Sequence, residues 1–227
     1  PIYALGALAE ACQAIIEAWL PGEEGGAALA SVLFGDVNPG GKLPVTFPRS
    51  AGQLPIKYND KPAGQGSHWW GDYVDEHVTP LFPFGHGLSY ADFEYRDLVI
   101  QPKQATSGGH VKLSFKVKNV GEVTGDEVVQ LYIHDKFAST PRPSKELKGC
   151  QRLTLEPNKE CQVSFRLAVD QLAFYDNDLQ LVLEPGEVDV MVGSSSQDIR
   201  LSGEFNITGE KPMIVKERVF NCPVIVE

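Results

Sequence analysis

The chain has 227 residues, of which 42% are apolar and 22% charged, and a formal net charge of −10. That length buries a sizeable core in one or two domains, and the composition is that of a globular protein. The acidic balance counts against a nucleic-acid partner or an anionic membrane surface, both of which select a basic patch, and no apolar run approaches the roughly 18 residues of a membrane span.

The first fifty residues read as α/β. Leu5, Leu8, Ala9 and Cys12 fall at helical spacing. Ala14 to Leu20 is short and apolar and is bounded by Pro21-Gly22. It either continues the helix or forms a short buried strand, and the Gly-rich turn after it favours the strand. A second helix is expected over 25–34, with Leu29, Val32 and Leu33 on one face and Gly35 behind it as a C-cap. Asp36 to Gly41 is a turn cluster, and Lys42 to Phe47 reads as a strand ended by Pro48. These helices have apolar faces but no partner layer within the chain, so residues 1–50 are expected to be the end of a larger α/β domain.

Residues 51–91 follow as a connector. Its stretch Ile56 to Tyr90 shows no sustained period and is broken by Pro and Gly from Pro62 to Gly87. Structureless stretches beyond about 12–15 residues are uncommon in compact domains unless functional or disordered. Two adjacent tryptophans argue for order, since disordered segments are poor in aromatics.

From Phe93 the period becomes two. Val111, Leu113, Phe115 and Val117 alternate with Lys112, Ser114, Lys116 and Lys118. Further strands are expected at 128–134, 172–175, 179–183, 187–192 and 199–207. Leu147–Leu155 and Cys161–Leu167 are expected as a hairpin around Glu156-Pro157-Asn158-Lys159. Turn signals every 8–12 residues predict an antiparallel sandwich over 92–207. Residues 208–227 are expected to pack back along a surface.

The chemistry-bearing residues allow several readings. His68, Trp69, Trp70 and Asp72 lie together in the connector. Aromatic rings pack on the C–H faces of pyranoses and carboxylates accept from sugar hydroxyls, as an apolar wall with a few polar groups requires. Equally, the tryptophans staple the connector to other domains by burying large apolar area. Glu23 and Glu24 open the second helix; first-turn capping accounts for them without a further partner, and is preferred to a catalytic role. His77 and His86 read as structural. The histidines at 68, 77, 86, 110 and 134 lack HxxxH-type spacing, so neither a metal nor another cofactor is expected. Cys12, Cys150, Cys161 and Cys222 form no CxxC and are expected as free, buried thiols. Asn206-Ile207-Thr208 fits a glycosylation sequon.

Three runs carry a family resemblance. AWLPGEEGGAALASVLFGDVNPGGKLPVTFPRSAGQLP resembles the closing part of the second domain of glycoside hydrolase family 3. PLFPFGHGLSYADFEY resembles that family's entry into its fibronectin type III-like domain, and LKGCQRLTLEPNKECQVSFRL, LAFYD and LEPGEVDVMVGSSS resemble later strands. Cys150 stands where an aromatic is common in the family and Asn158 where Gly is common. The resemblance implies a mainly β chain: an immunoglobulin-like sandwich behind a fragment of an α/β sandwich domain. It also implies part of a retaining β-glucosidase or β-xylosidase, whose nucleophilic Asp and acid/base Glu lie in segments absent here. The implied partners are the N-terminal barrel, the rest of the α/β domain and a glycoside or oligosaccharide. A non-catalytic carbohydrate- or partner-binding sandwich is the other class of reading.

Overall fold

The computed structural model describes residues 4–61 and 77–227. Its centre is a β-sandwich. One sheet has the order β1 (Phe93–Gln101), β3 (His110–Asn119), β6 (Glu160–Ala168), β12 (Val224–Val226). The facing sheet has the order β2 (Gln104–Ala105), β10 (Ile199–Ile207), β9 (Gly186–Gly193), β4 (Gly125–Asp135), β5 (Glu146–Leu155). A small sheet joins β7 (Phe174–Tyr175), β8 (Leu181–Leu183) and β11 (Met213–Ile214). All pairings are antiparallel except β2 with β10.

The period-two pattern explains why these strands pack. Along β3, Val111, Leu113, Phe115 and Val117 are all buried while Lys112 and Lys116 face outward. Val163, Phe165 and Leu167 of β6 and Val188, Val190 and Val192 of β9 complete the two inner faces. Between them runs a ladder of rings, Tyr95 on Phe115 (6.1 Å) and Phe115 on Phe165 (6.0 Å). The longest helical piece between 110 and 200 is a 3-10 turn, Val169–Leu172.

The expected hairpin of β5 and β6 is not one. β5 pairs with β4, whereas β6 pairs with β3 and β12 in the opposite sheet. A four-residue turn between two alternating runs fits a hairpin and an arch across a sandwich equally, and both strands bury one face. Asn158 sits at φ +62, where glycine is free and Asn is the best-tolerated substitute. Its N–H donates to Asn119 O, while Lys159 O accepts from Asn119 N–H. Buried Asn119 fastens the arch further by donating from Nδ2 to Val123 O and Leu155 O, both at 2.8 Å.

The N-terminal part holds α1 (Gly6–Ala11) and α2 (Gly25–Leu33). Ala14–Leu20 forms no strand, and Lys42–Phe47 reduces to one bridge, Phe47 to Phe82. A strand needs a neighbour to take its backbone groups: Ala14–Leu20 finds none among the described residues, and Lys42–Phe47 meets residues 81–86 only through Leu43 and Phe47, too sparsely for a strand. α2 buries only Gly25, so Leu33 and Phe34 are 67% and 84% exposed, and Leu20 is 97% exposed. All four cysteines are free; Cys161 and Cys222 are buried, but Cys12 and Cys150 are exposed, against expectation.

Candidate functional site

His68, Trp69, Trp70 and Asp72 lie outside the described residues, so the geometry available is that of the connector's two ends. The leading end is held by the sandwich. The Tyr58 ring stacks on Phe84 (4.3 Å) and meets Tyr132 edge-on (5.8 Å), and its hydroxyl accepts from Leu147 N–H at 3.3 Å. Burial raises the Tyr58 phenol pKa, with the Leu147 bond opposing. Asp60 O accepts from Ser144 N–H. The trailing end is held by the α/β part. Buried Gln53 donates from Nε2 to His77 O (2.7 Å) and accepts from Arg49 N–H (2.6 Å), and Arg49 Nε donates to Thr79 O.

Beyond His77 the chain re-enters through a ladder. Phe47 N–H donates to Phe82 O, Leu43 N–H to His86 O, and Gly85 N–H to Leu43 O, each at 2.8 Å. Two glycines are required there. Gly85 has φ +81, and a Cβ on Gly87 would stand 2.2 Å from Gly41 O. His86 stacks on Phe82 (5.3 Å). Burial and then the Lys42 ammonium lower its pKa below the usual 6.5. From the sandwich, Gln130 Nε2 donates to Ser194 O, its Oε1 accepts from Tyr132 Oη, and Ser196 N–H donates to Phe84 O.

Where the ladder meets the sandwich there is a polar cavity of about 470 Å³. Lys42 Nζ reaches Glu127 Oε1 at 3.0 Å; the Glu127 side chain is buried and that of Lys42 is partly so. Lys42 also donates to Gly87 O (3.0 Å), and Glu127 Oε1 accepts from Val128 N–H (2.7 Å). On the opposite wall Arg200 pairs with Asp198 (2.8 Å), donates to Phe93 O (2.6 Å) and lies 4.9 Å over the Tyr95 ring. The Arg200 hydrogen bond, aided by that of Ser194, holds the Asp198 carboxyl below the usual range despite burial.

Residues 2–90 match the family model described as glycosyl hydrolase family 3 C-terminal domain, and residues 127–196 match the fibronectin type III-like domain. A β-xylosidase of Formosa agariphila is 46% identical over 190 residues, 84% of this chain and 26% of its own length. The periplasmic β-glucosidase of Salmonella typhimurium is 40% identical over 200 residues, 86% of this chain and 26% of its own. The solved β-glucosidase of Listeria innocua in complex with glucose superposes with a TM-score of 0.85 at 36% identity, over 91% of this chain and 29% of that one. The chain is the C-terminal portion of a glycoside hydrolase family 3 sequence. It spans about a quarter of the length of these relatives.

Within this family 3 chain, Glu24 stands at the N-cap of α2 but makes no side-chain cap bond, so the capping account does not hold for it. The backbone serves instead: Ala28 N–H donates to Glu24 O. The cluster of Lys42, Tyr95, Glu127, Asp198 and Arg200 was missed by sequence reasoning. Its signal was present. Alternation along β4 puts Glu127 on the same inward face as Val129, Leu131 and Ile133, and a carboxylate on a core face needs a buried cation. Nothing in the local sequence says that the cation comes from residue 42.

Proposed function

We propose that this chain is the C-terminal part of a retaining, exo-acting β-glycosidase that hydrolyses terminal non-reducing β-D-glucosyl residues. The collinear match of more than four-fifths of the chain to β-glucosidases and β-xylosidases carries the reading. The nucleophile and the acid/base carboxyl come from segments outside these residues, where one carboxylate attacks the anomeric carbon and the other carboxyl protonates the leaving oxygen. The barrel and the remainder of the α/β domain of the same enzyme are the partners. Residues 1–50 close the α/β domain, 51–91 connect, 92–207 form the fibronectin type III-like sandwich and 208–227 are its tail. A β-xylosidase is the second reading, favoured by the Formosa agariphila relative's name and 46% identity. Comparing kcat/KM for aryl β-glucoside and aryl β-xyloside on the complete enzyme decides between them.

Within this reading, His68, Trp69, Trp70 and Asp72 contact substrate, with a tryptophan walling an outer sugar subsite. Support comes from the sugar-compatible side chains and from the firm seating of the described residues on either side. Losing one such stacking contact costs on the order of 1–3 kcal/mol, the scale of burying a large apolar side chain. Trp69→Ala or Trp70→Ala in the complete enzyme is expected to raise KM for an oligosaccharide with little change in Tm. If both lower Tm and leave kinetics alone, the tryptophans are structural staples.

A further inference from the structure

The cavity between the ladder and the sandwich has a chemistry that its structural ion pairs do not exhaust. Its volume, about 470 Å³, falls in the roughly 300–1,000 Å³ range of small-molecule sites. Two ion pairs stand in its wall, Lys42 with Glu127 and Arg200 with Asp198, and Asp92 and Glu94 add two further carboxylates to the lining. An entering anion would meet four carboxylates against two basic groups and be desolvated without net attraction, while a cation would offer no acceptor to the free donors of Lys42, Tyr95 and Ser195. The remaining groups ask for hydroxyls. Tyr95 lines the cavity, is 7% exposed, and its Oη has no hydrogen-bond partner. Lys42 spends two of the three N–H groups of an ammonium on Gly87 O and Glu127. Ser195 Oγ accepts from Gln197 and Asp198 N–H, which leaves its own hydrogen to donate. Phe93 and Leu88 supply an apolar wall.

We propose that this cavity, lined by Lys42, Tyr95, Glu127, Ser195 and Arg200, binds a neutral polyol of monosaccharide size, a pyranose such as glucose or xylose. Neutral hydroxyls donate to the carboxylates and accept from the ammonium and the Tyr95 hydroxyl without upsetting either ion pair. The ligand seats where residue 42 of the α/β part, the re-entering connector and three strands of the sandwich converge, so binding ties these three segments together. The cavity chemistry calls only for a neutral polyol; the choice of a pyranose rests on the glycosidase reading.

The test is calorimetric titration of the complete enzyme with D-glucose and D-xylose after its reaction with a 2-deoxy-2-fluoro glycosyl fluoride, which blocks a retaining active site. One saturable equivalent is expected on the blocked enzyme. Tyr95→Phe deletes the unpartnered hydroxyl and breaks no internal bond, so it should leave Tm equal or higher while weakening binding roughly three- to tenfold. Leu88→Trp, at an exposed position on the cavity wall, should weaken binding as well. No saturable binding by the blocked enzyme, or binding indifferent to both variants, overturns the proposal and leaves the cavity to water. Failure of the fluoro sugar to label the protein counts against the glycosidase reading instead. The same titration of the unlabelled protein, with myo-inositol alongside the two sugars, then decides the cavity.

Discussion

His86 shows how one residue's surroundings set its response to acid. It stacks on Phe82, and burial together with nearby Lys42 lowers its pKa, while Asp198 opposes the shift. The folded state therefore binds fewer protons than the unfolded state between the lowered pKa and about 6.5. Stability rises with pH across that window, is complete above it, and falls as the solution is acidified through it. His86→Phe keeps a ring against Phe82 and removes the titration. Differential scanning calorimetry of both proteins from pH 7.5 to 5 should show the wild type losing more Tm on acidification. Parallel curves would mean that His86 does not feel its burial. The sequence supported a structural role for His86 in a tight turn, but not its stacking on Phe82, four residues upstream on the other arm of that turn.

Among the elements, the strands were the most legible part of the chain. Alternation in β3 and β9 is enough to place their inner faces, because a half-buried strand shows one face to each environment. What escaped was strand partnership. β5 and β6 look like a hairpin locally, yet the chain crosses from one sheet to the other at Glu156–Lys159. Ala14–Leu20 reads as a strand in isolation and forms none, having no ladder partner among the described residues. The arch makes a specific prediction. A Cβ at Gly149 of β5 would stand 2.9 Å from the Phe165 ring of β6, which is fully buried and stacked on Phe115. Gly149→Ala should cost about 1–3 kcal/mol through overpacking. Cys150→Ala, one residue on and exposed, should stay within about 0.5 kcal/mol. Urea denaturation of the two variants measures the difference; equal stabilities would argue against the face-to-face packing of β5 on β6.

At the scale of the molecule, the two parts of the chain differ in how they bury apolar surface. The sandwich encloses a contiguous core. The helical part leaves Leu8, Leu20, Leu33 and Phe34 largely exposed. An apolar face of this kind marks a contact surface, and in the proposed enzyme the rest of the α/β domain covers it. The 227-residue chain alone should therefore bind a hydrophobic dye such as ANS, and Leu33→Ser with Phe34→Ser should reduce that fluorescence. In the complete enzyme the same pair should lower Tm, each side chain being worth up to about 1.5–3 kcal/mol when fully buried. Dye binding unchanged by the pair would locate the bared surface elsewhere. The sequence foretold the uncovered faces because their apolar spacing had no second layer to meet. The site was less legible, because its ion-paired groups come from residues 42, 127, 198 and 200 and only the fold brings them together with Asp92 and Glu94.

The central claim is that these residues are the C-terminal part of a retaining β-glycosidase whose catalytic carboxyls lie elsewhere in the enzyme. The most direct measurement is proton NMR of the first sugar released from an aryl β-D-glucoside, run in parallel on the complete enzyme and on the 227-residue chain. The account predicts that the complete enzyme releases the β-anomer first, before mutarotation, and that the isolated chain releases none, since losing the carboxylate pair removes most of a rate enhancement of more than about 10⁶-fold. Release of the α-anomer first, no turnover of β-glucoside or β-xyloside by the complete enzyme, or turnover by the isolated chain would contradict it.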